Sequence, residues 1–253
     1  MNEIYKIREW NIHKMTRNIP GEPFVISRIK QGEPDIIVLV EYKEDHMIEQ
    51  ALAQDYFFRV AIGKKGNDIL IAIRKEIVAE KTEPNFNQSF LKASLGEDQP
   101  TVLETTFETK DKKLISVIGL RYVQGGNGLK VSKYMKLYLD KLNHAFICTG
   151  DFNVFDFRMP IHFGDYYHEN YDRRKENSSI VMLHDFKECI IKGFERFDHV
   201  VYNSNIKRNS LTYSWDFISL SDIYPSKMDV GYVWKIPVAY PDHAVLECDF
   251  SIN

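Results

Sequence analysis

Asp151 and Asn153 stand two residues apart in the run Thr149-Gly-Asp-Phe-Asn-Val154, directly after the apolar stretch Ala145–Cys148. Alternate residues of an extended chain share a face. A strand ending on Gly-Asp-x-Asn therefore delivers a carboxylate and a carboxamide toward one reacting centre. The same residues also make an ordinary strand-to-turn exit, because Gly, Asp and Asn dominate turns. What separates the two readings is whether other strands end in matching groups, and several do. Trp10-Asn11-Ile12-His13 closes the first apolar run with Asn11, and Asp35–Val40 runs straight into Glu41. Leu114–Leu120 ends at Arg121, Arg196-Phe-Asp-His sets Asp198 at the mouth of a strand, and Tyr240-Pro-Asp-His introduces the last strand with Asp242 and His243.

This inventory suits hydrolysis of a phosphate ester, whose transition state needs a divalent cation, a polarised water and a proton donor near the leaving oxygen. Mg²⁺ takes oxygen ligands and keeps several waters, so one or two carboxylates are enough to hold it. Glu41 and Asp242 are the expected metal ligands (Mg²⁺ or Mn²⁺), with Asn11 as a neutral supporting ligand. Asp151 would align or deprotonate the attacking water, and Asn153 would hold a phosphoryl oxygen. His243 would contact the phosphate or protonate the leaving group, with Asp198 fixing its tautomer.

Strands and helices must bring these groups together. Apolar β-branched runs recur at Ile4–Trp10, Asp35–Val40, Ile69–Ile73, Val102–Phe107, Leu114–Leu120, Ala145–Cys148, Phe197–Tyr202 and Ala244–Phe250. Several are continuous rather than alternating, as in strands covered on both faces. Helical spacing appears over Phe24–Gln31 and Val131–Leu142. The mixture predicts an α/β protein with two packed sheets. The 253 residues suit one domain spanning 1–253. Gly125–Gly128 is glycine-rich but lacks the following Gly-Lys-Ser/Thr of a phosphate-cradling loop, so it reads as a flexible connection. Two polar excursions, His162–Asn177 and Asn203–Met228, read as long surface loops.

Net charge is −3, which argues mildly against tight non-specific binding of duplex nucleic acid. Three scattered cysteines argue against a disulfide framework or a zinc knuckle, and Cys148 reads as core. No segment reaches the length of a membrane span, and the charged, strand-like start is unlike a secretory leader. A cytoplasmic protein without an obligate protein partner is expected.

The segments WNIH, PDIIVLVEY, GLRY, TGDFNV, RFDHVVYN and YPDHAVL occur in the order found in the endonuclease/exonuclease/phosphatase superfamily, which the chain resembles from Ile4 to Phe250. The resemblance implies a four-layer α/β/β/α sandwich, two mixed sheets flanked by helices, and Mg²⁺-dependent phosphoesterase activity. It matches Asn11 and Glu41 to the metal-site residues, Asp151 and Asn153 to the Gly-Asp-x-Asn pair, Asp198 to the carboxylate orienting the catalytic histidine, and Asp242-His243 to the terminal pair. Nucleic acid is the leading substrate expectation. A phosphomonoesterase, a lipid or inositol phosphate hydrolase, and a binding module of weakened activity are the alternatives. One departure matters: where many members carry a histidine, this chain has Arg121 followed by Tyr122. Arginine is no general acid near neutral pH, but its fork suits phosphate, so Arg121 is expected to clamp the scissile group. His13 reads as a surface or supporting histidine and His199 as structural. Aromatic and basic residues over Tyr166–Lys175, and more weakly Lys207-Arg208, suit contacts to single-stranded nucleic acid, although a self-packed surface loop explains them as well. Loops near 84–99, 122–130, 155–178 and 203–228 are expected to set substrate choice.

Overall fold

The computed structural model describes residues 3–12, 22–63, 68–88, 95–123, 126–154, 158–167, 198–214, 216–217, 224–228, 231–235 and 243–253. Strand β1 (Tyr5–Asn11) is followed by helix α1 (Glu22–Lys30) and by β2 (Ile36–Tyr42), which pairs with β1 in parallel. A second unit repeats this plan: β7 (Leu114–Arg121), α3 (Gly128–Leu139) and the parallel strand β8 (Ala145–Asp151). A crossover helix is the short way to join parallel neighbours, and each unit forms the middle of its own sheet.

The first sheet adds α2 (His46–Ala53) on its outer side, with β3 (Tyr56–Ala61), β4 (Asp68–Arg74), β10 (Ile206–Ser214) and β13 (Val245–Ile252) as further strands, in the order β10-β13-β1-β2-β4-β3. The second contains β5 (Asn85–Asn87), β6 (Thr101–Glu108) and β9 (Asp198–Tyr202), in the order β5-β6-β7-β8-β9, with α4 (Met159–Phe163) outside it. The strands β11 (Tyr224–Met228) and β12 (Gly231–Lys235) form a separate antiparallel pair.

Both sheets are mixed, and their side chains sort into layers. Along β2, Ile36, Val38 and Val40 enter a core shared with Leu103, Val117 and Ile147 of the second sheet. Ile37 and Leu39 instead pack with Val25 and Ile29 of α1 and with Ile48 and Leu52 of α2. On the far side Ile118, Leu120, Phe146 and Cys148 meet Val131, Met135 and Leu139 of α3 and Met159 and Phe163 of α4. The order helices, sheet, sheet, helices is the expected four-layer sandwich, and continuous apolar runs arise because each central strand is covered on both faces.

Gly119 on β7 faces Ile69 and Val38 of the other sheet at close range. A Cβ there would lie 2.9 Å from Ile69 Cγ2 and 3.0 Å from Val38 Cγ1. Gly119→Ala should therefore lower stability by about 1–3 kcal/mol through overpacking. Urea unfolding measures this, and an unchanged midpoint would show that the sheets have room to spare.

Two boundaries differ from the sequence reading. Much of Asn203–Met228 is not loop, since Ile206–Ser214 forms β10 against β13. Its sequence is polar because it is an edge strand, where only Ile206 and Tyr213 are buried and charged side chains are favoured. Lys207 and Arg208 lie on this strand and not in a loop. Helix α3 starts at Gly128, inside the glycine-rich run, because Asn127 Oδ1 accepts the Lys130 N–H at 3.0 Å and caps the first turn.

Candidate active site

The C-terminal ends of the two parallel pairs converge. Asn11 ends β1, Arg121 ends β7 and Asp151 ends β8; Glu41 is the penultimate residue of β2. Crevices beyond the carboxyl ends of parallel strands are where α/β folds gather ligand-binding groups. Asn11 lies on the face of β1 that carries Ile7, and Asp151 on the face of β8 that carries Ile147, so simple alternation aims both between the sheets.

Glu41 follows a different rule. Alternation alone would put it with Leu39 on the helix side. Instead the register between β2 and β4 shifts between Val40 and Tyr42, and Glu41 takes φ 50°. This bulge re-aims the side chain across the cleft to the second sheet, a use of bulges recurrent beside active sites. A glutamate at positive φ is an uncommon, costly conformation, and such strain concentrates at functional positions.

Arg121 binds the acids of both sheets. Its Nε and Nη2 donate to Glu41 Oε1 at 2.9 and 2.6 Å, and Nε lies 3.2 Å from Asp151 Oδ2. Its Nη1 donates to the Tyr122 carbonyl. Arg121 is only 7 % exposed, so this is a buried ionic cluster and not a surface pair. Burial opposes the charge, but Asp151 and Glu41 outweigh it and raise the Arg121 pKa above the ordinary arginine value.

Asp151 is held on both oxygens. Oδ1 accepts the Asn153 N–H at 2.8 Å, and Oδ2 accepts Asn11 Nδ2 at 3.1 Å. Burial pushes its carboxyl up to about 6, with Asp198 adding to the rise and Arg121 and His243 opposing it. Asn153 lies beyond the end of β8 with φ 47°, and its Nδ2 donates to the Tyr122 carbonyl at 3.0 Å. The Asp-x-Asn pair is thus brought together by a turn in which the aspartate accepts a backbone N–H two residues on, not by strand alternation. The glycine before it is required as well: Gly150 has φ 139°, and a Cβ there would lie 2.0 Å from the Leu120 carbonyl oxygen.

His243 completes the cluster. Its Nδ1 lies 2.6 Å from Asp198 Oδ2, and its Nε2 lies 3.4 Å from Asn11 Nδ2. The Trp10 indole N–H donates to the His243 carbonyl at 3.0 Å, tying the entry to β13 onto β1. A carboxylate on Nδ1 fixes the proton there and leaves Nε2 facing Asn11.

No family model matches the sequence, and no curated protein matches it. Solved structures do. An endonuclease/exonuclease/phosphatase family protein from Bacteroides thetaiotaomicron superposes with TM-score 0.67 at 16% identity, covering 100% of this chain and 99% of that one. TDP2 from D. rerio, complexed with a single-strand DNA product, gives TM-score 0.58 at 14% identity over 99% and 100% of the two chains. The mannosyl-6-phosphatase Bt3783 of B. thetaiotaomicron gives 0.60 at 17% identity over 98% and 100%. The fold is that of the endonuclease/exonuclease/phosphatase proteins.

Within this endonuclease/exonuclease/phosphatase fold, seven of the eight site residues expected from the sequence are described: Asn11, Glu41, Arg121, Asp151, Asn153, Asp198 and His243. The eighth, Asp242, lies outside the described residues, as do His13, Arg196 and the basic part of the Tyr166–Lys175 segment. Arg121 is found on Glu41 and Asp151, which gives it an acid-binding role in this arrangement that its sequence position did not disclose. His199 is buried, with Nε2 on the Val154 carbonyl at 2.8 Å and its ring against Phe152 and Tyr167, in keeping with a structural part. Sequence reasoning missed Glu9, which is fully buried beside the cluster. Burial, with Asp198 and Asp151 adding to it and His243 opposing, holds its carboxyl well above the usual range. The available signal was its parity: Glu9 and Asn11 share one face of β1.

A supporting network runs behind Tyr122, whose hydroxyl contacts Ser132 Oγ at 3.2 Å, while Ser132 Oγ contacts His162 Nδ1 at 2.8 Å. Burial lowers the His162 pKa below 6.5, and Arg158 adds to this. A histidine whose folded pKa is depressed contributes stability that is present above its unfolded pKa and lost as pH falls through the folded one. Acidification from about pH 7.5 to about pH 5.5 should thus lower the Tm of the wild type more than that of His162→Gln. Equal shifts in thermal melts of the two proteins would remove His162 from this role.

Proposed function

We propose that this chain is a divalent-metal-dependent phosphoesterase, with a phosphodiester of nucleic acid as the leading substrate. The observation that carries the reading is the convergence of Asn11, Glu41, Arg121, Asp151 and the Asp198–His243 pair at strand ends of both sheets. The fold neighbours add to it, one complexed with a DNA product and another a sugar phosphatase.

Among the described residues, no group of three or more His, Cys, Asp and Glu side chains is arranged to hold a metal ion. The donor chemistry nevertheless fits Mg²⁺ or Mn²⁺, because Glu41 offers carboxylate oxygens and Asn11 a carboxamide oxygen. Three buried acids, Glu41, Asp151 and Asp198, face the single guanidinium of Arg121 and the His243 ring, which leaves room for further positive charge. Glu41, Asn11 and Asp242 would hold the cation, which supplies charge for the phosphoryl oxygens and polarises water.

The chain's own groups then divide the work. Asp151, fixed by Asn153 and Asn11, takes the proton of the water whose oxygen attacks phosphorus. His243, protonated on both ring nitrogens with its Nδ1–H on Asp198, would contact the phosphoryl group and pass its Nε2 proton to the leaving oxygen as the ester bond breaks. Arg121 has five N–H donors in a fixed fork, and those released from Glu41 by a bound cation would turn to the phosphoryl oxygens. No helix among the described residues is long and apolar enough to cross a membrane.

The test is hydrolysis of single-stranded and duplex DNA, RNA, a sugar phosphate and an inositol phosphate, with Mg²⁺ or Mn²⁺ and with chelator. The expected result is turnover of a nucleic-acid diester that chelator abolishes and that Glu41→Gln lowers by about 10²-fold or more. Turnover of only a phosphomonoester would move the chain to the monoesterase alternative. Turnover that survives chelation would end the metal reading. A binding module of weakened activity is the second reading, favoured by the two Arg121 N–H groups seated on Glu41 Oε1; metal-dependent thermal stabilisation without turnover of any substrate would establish it.

A further inference from the structure

Glu9 is the least comfortable side chain among the described residues. It is fully buried, and neither carboxyl oxygen has a hydrogen-bond partner. Asp198 Oδ1, the oxygen not used on His243, is also buried without a partner. The two groups are near enough for their charges to act on each other, and Glu9 also acts on His243 and Asp151. Glu9 reaches this place because it sits two residues before Asn11 on the same face of β1, one step deeper between the sheets. An apolar residue fits that position by pattern, since Tyr5 and Ile7 occupy the same face.

Buried acceptors without donors are rare in folded proteins and call for a cause such as an internal water or a functional role. Leaving them unsatisfied costs stability that Leu or Met would recover. Glu9 and Asp198 Oδ1 are buried acceptors without donors on side chains close enough to interact, and a single water, which donates twice, can serve both. The geometry points to Glu9 as a positioning residue: with Asp198 Oδ1 it encloses an internal water that fixes the Asp198 carboxylate and, through it, the orientation of the His243 ring. Glu9 touches no substrate. It acts only through Asp198, as outer partners of catalytic imidazoles do.

This role rests on the proposed phosphoesterase reading for its kinetic consequence but not for its structural one, so the test reads both. Glu9→Leu and Glu9→Gln are compared with the wild type by thermal melting, by the nitrogen chemical shifts of the His243 ring in ¹⁵N-histidine-labelled protein, and by kcat and KM on the best substrate. Glu9→Leu is expected to melt a few degrees higher, because an unsatisfied buried carboxyl is gone. It should also shift the His243 ring signals and lower kcat by about 10-fold or more with KM nearly unchanged. Glu9→Gln, which can still bind the water, is expected to recover most of kcat and the wild-type ring signals. Unchanged ring signals in Glu9→Leu overturn the proposal, whatever the kinetics. Shifted ring signals in a protein that hydrolyses none of the substrates support the positioning role and defeat the phosphoesterase reading instead.

Discussion

Asp151→Asn is expected to reduce turnover by about 10³-fold, within the range lost when a general base is removed, while the protein remains folded. The substitution keeps shape and removes both the charge and the proton acceptor. Both oxygens of Asp151 now receive donors, Asn153 N–H on Oδ1 and Asn11 Nδ2 on Oδ2. An asparagine must set its NH₂ against one of them, so one hydrogen bond becomes a donor–donor contact. That loss, together with the weakened hold on Arg121, costs about 1–3 kcal/mol. It is offset in part because burial already disfavours the ionised carboxyl. Single-turnover rates with metal present, beside circular dichroism of the same samples, separate the two effects. A variant with native spectra and more than about a tenth of wild-type turnover would remove Asp151 from the role of base.

Arg121→Leu is the substitution with the largest expected effect on stability. The guanidinium gives two N–H donors to Glu41 and an ion pair to Asp151, all in a buried setting. Breaking a buried ionic cluster by removing one sign costs about 3–5 kcal/mol, because the remaining charges keep their desolvation penalty. For a chain of this size that corresponds to a fall in Tm of roughly 6–20 °C. The same substitution removes the cation that competes for Glu41 Oε1. Mn²⁺ should therefore raise the Tm of Arg121→Leu more than that of the wild type, approaching about 2.7 kcal/mol at a hundredfold excess over Kd. Equal metal-induced shifts would mean that Arg121 and the cation occupy separate places. Lysine is not expected to rescue fully, since a point charge cannot reach Glu41, Asp151 and the Tyr122 carbonyl together.

The residues that carry the site were legible because strands end abruptly in polar groups after apolar runs. Asn11 and Asp151 follow directly from strand parity. Glu41 was legible as a motif but not as geometry, since its orientation depends on a one-residue bulge against β4 and on a positive φ. No local composition announces such a bulge. Asn153 likewise reaches Asp151 through a turn and not through alternation. Arg121 could be recognised as out of place, but its ion pairs depend on how two sheets dock, which is a long-range property. Glu9 went unnoticed because it stands among the charges Lys6 and Arg8, which are ordinarily solvated at a strand edge, and β1 becomes an interior strand only when β13 and β2 flank it. The two packed sheets were readable from continuous apolar strands, and the outer helical layers were implied by the superfamily resemblance. Strand β10 was not, because an edge strand needs few apolar residues, and α2 buries only Ile48 and Leu52 and so carries little periodic signal.

The position of β13 has a consequence for biosynthesis. It lies between β10 and β1, so the last strand described is inserted beside the first. A chain still emerging from the ribosome can assemble β1, β2 and the second sheet with their acids, yet it holds an open strand edge where β13 belongs and lacks His243. Domains fold as units during synthesis only when their contacts are available, and here the closing contacts span nearly the whole described length. The cluster around Asp198 is therefore completed late, and translation arrested before residue 243 leaves a product with an exposed sheet edge prone to pairing with other chains and without the His243 ring that Asp198 holds.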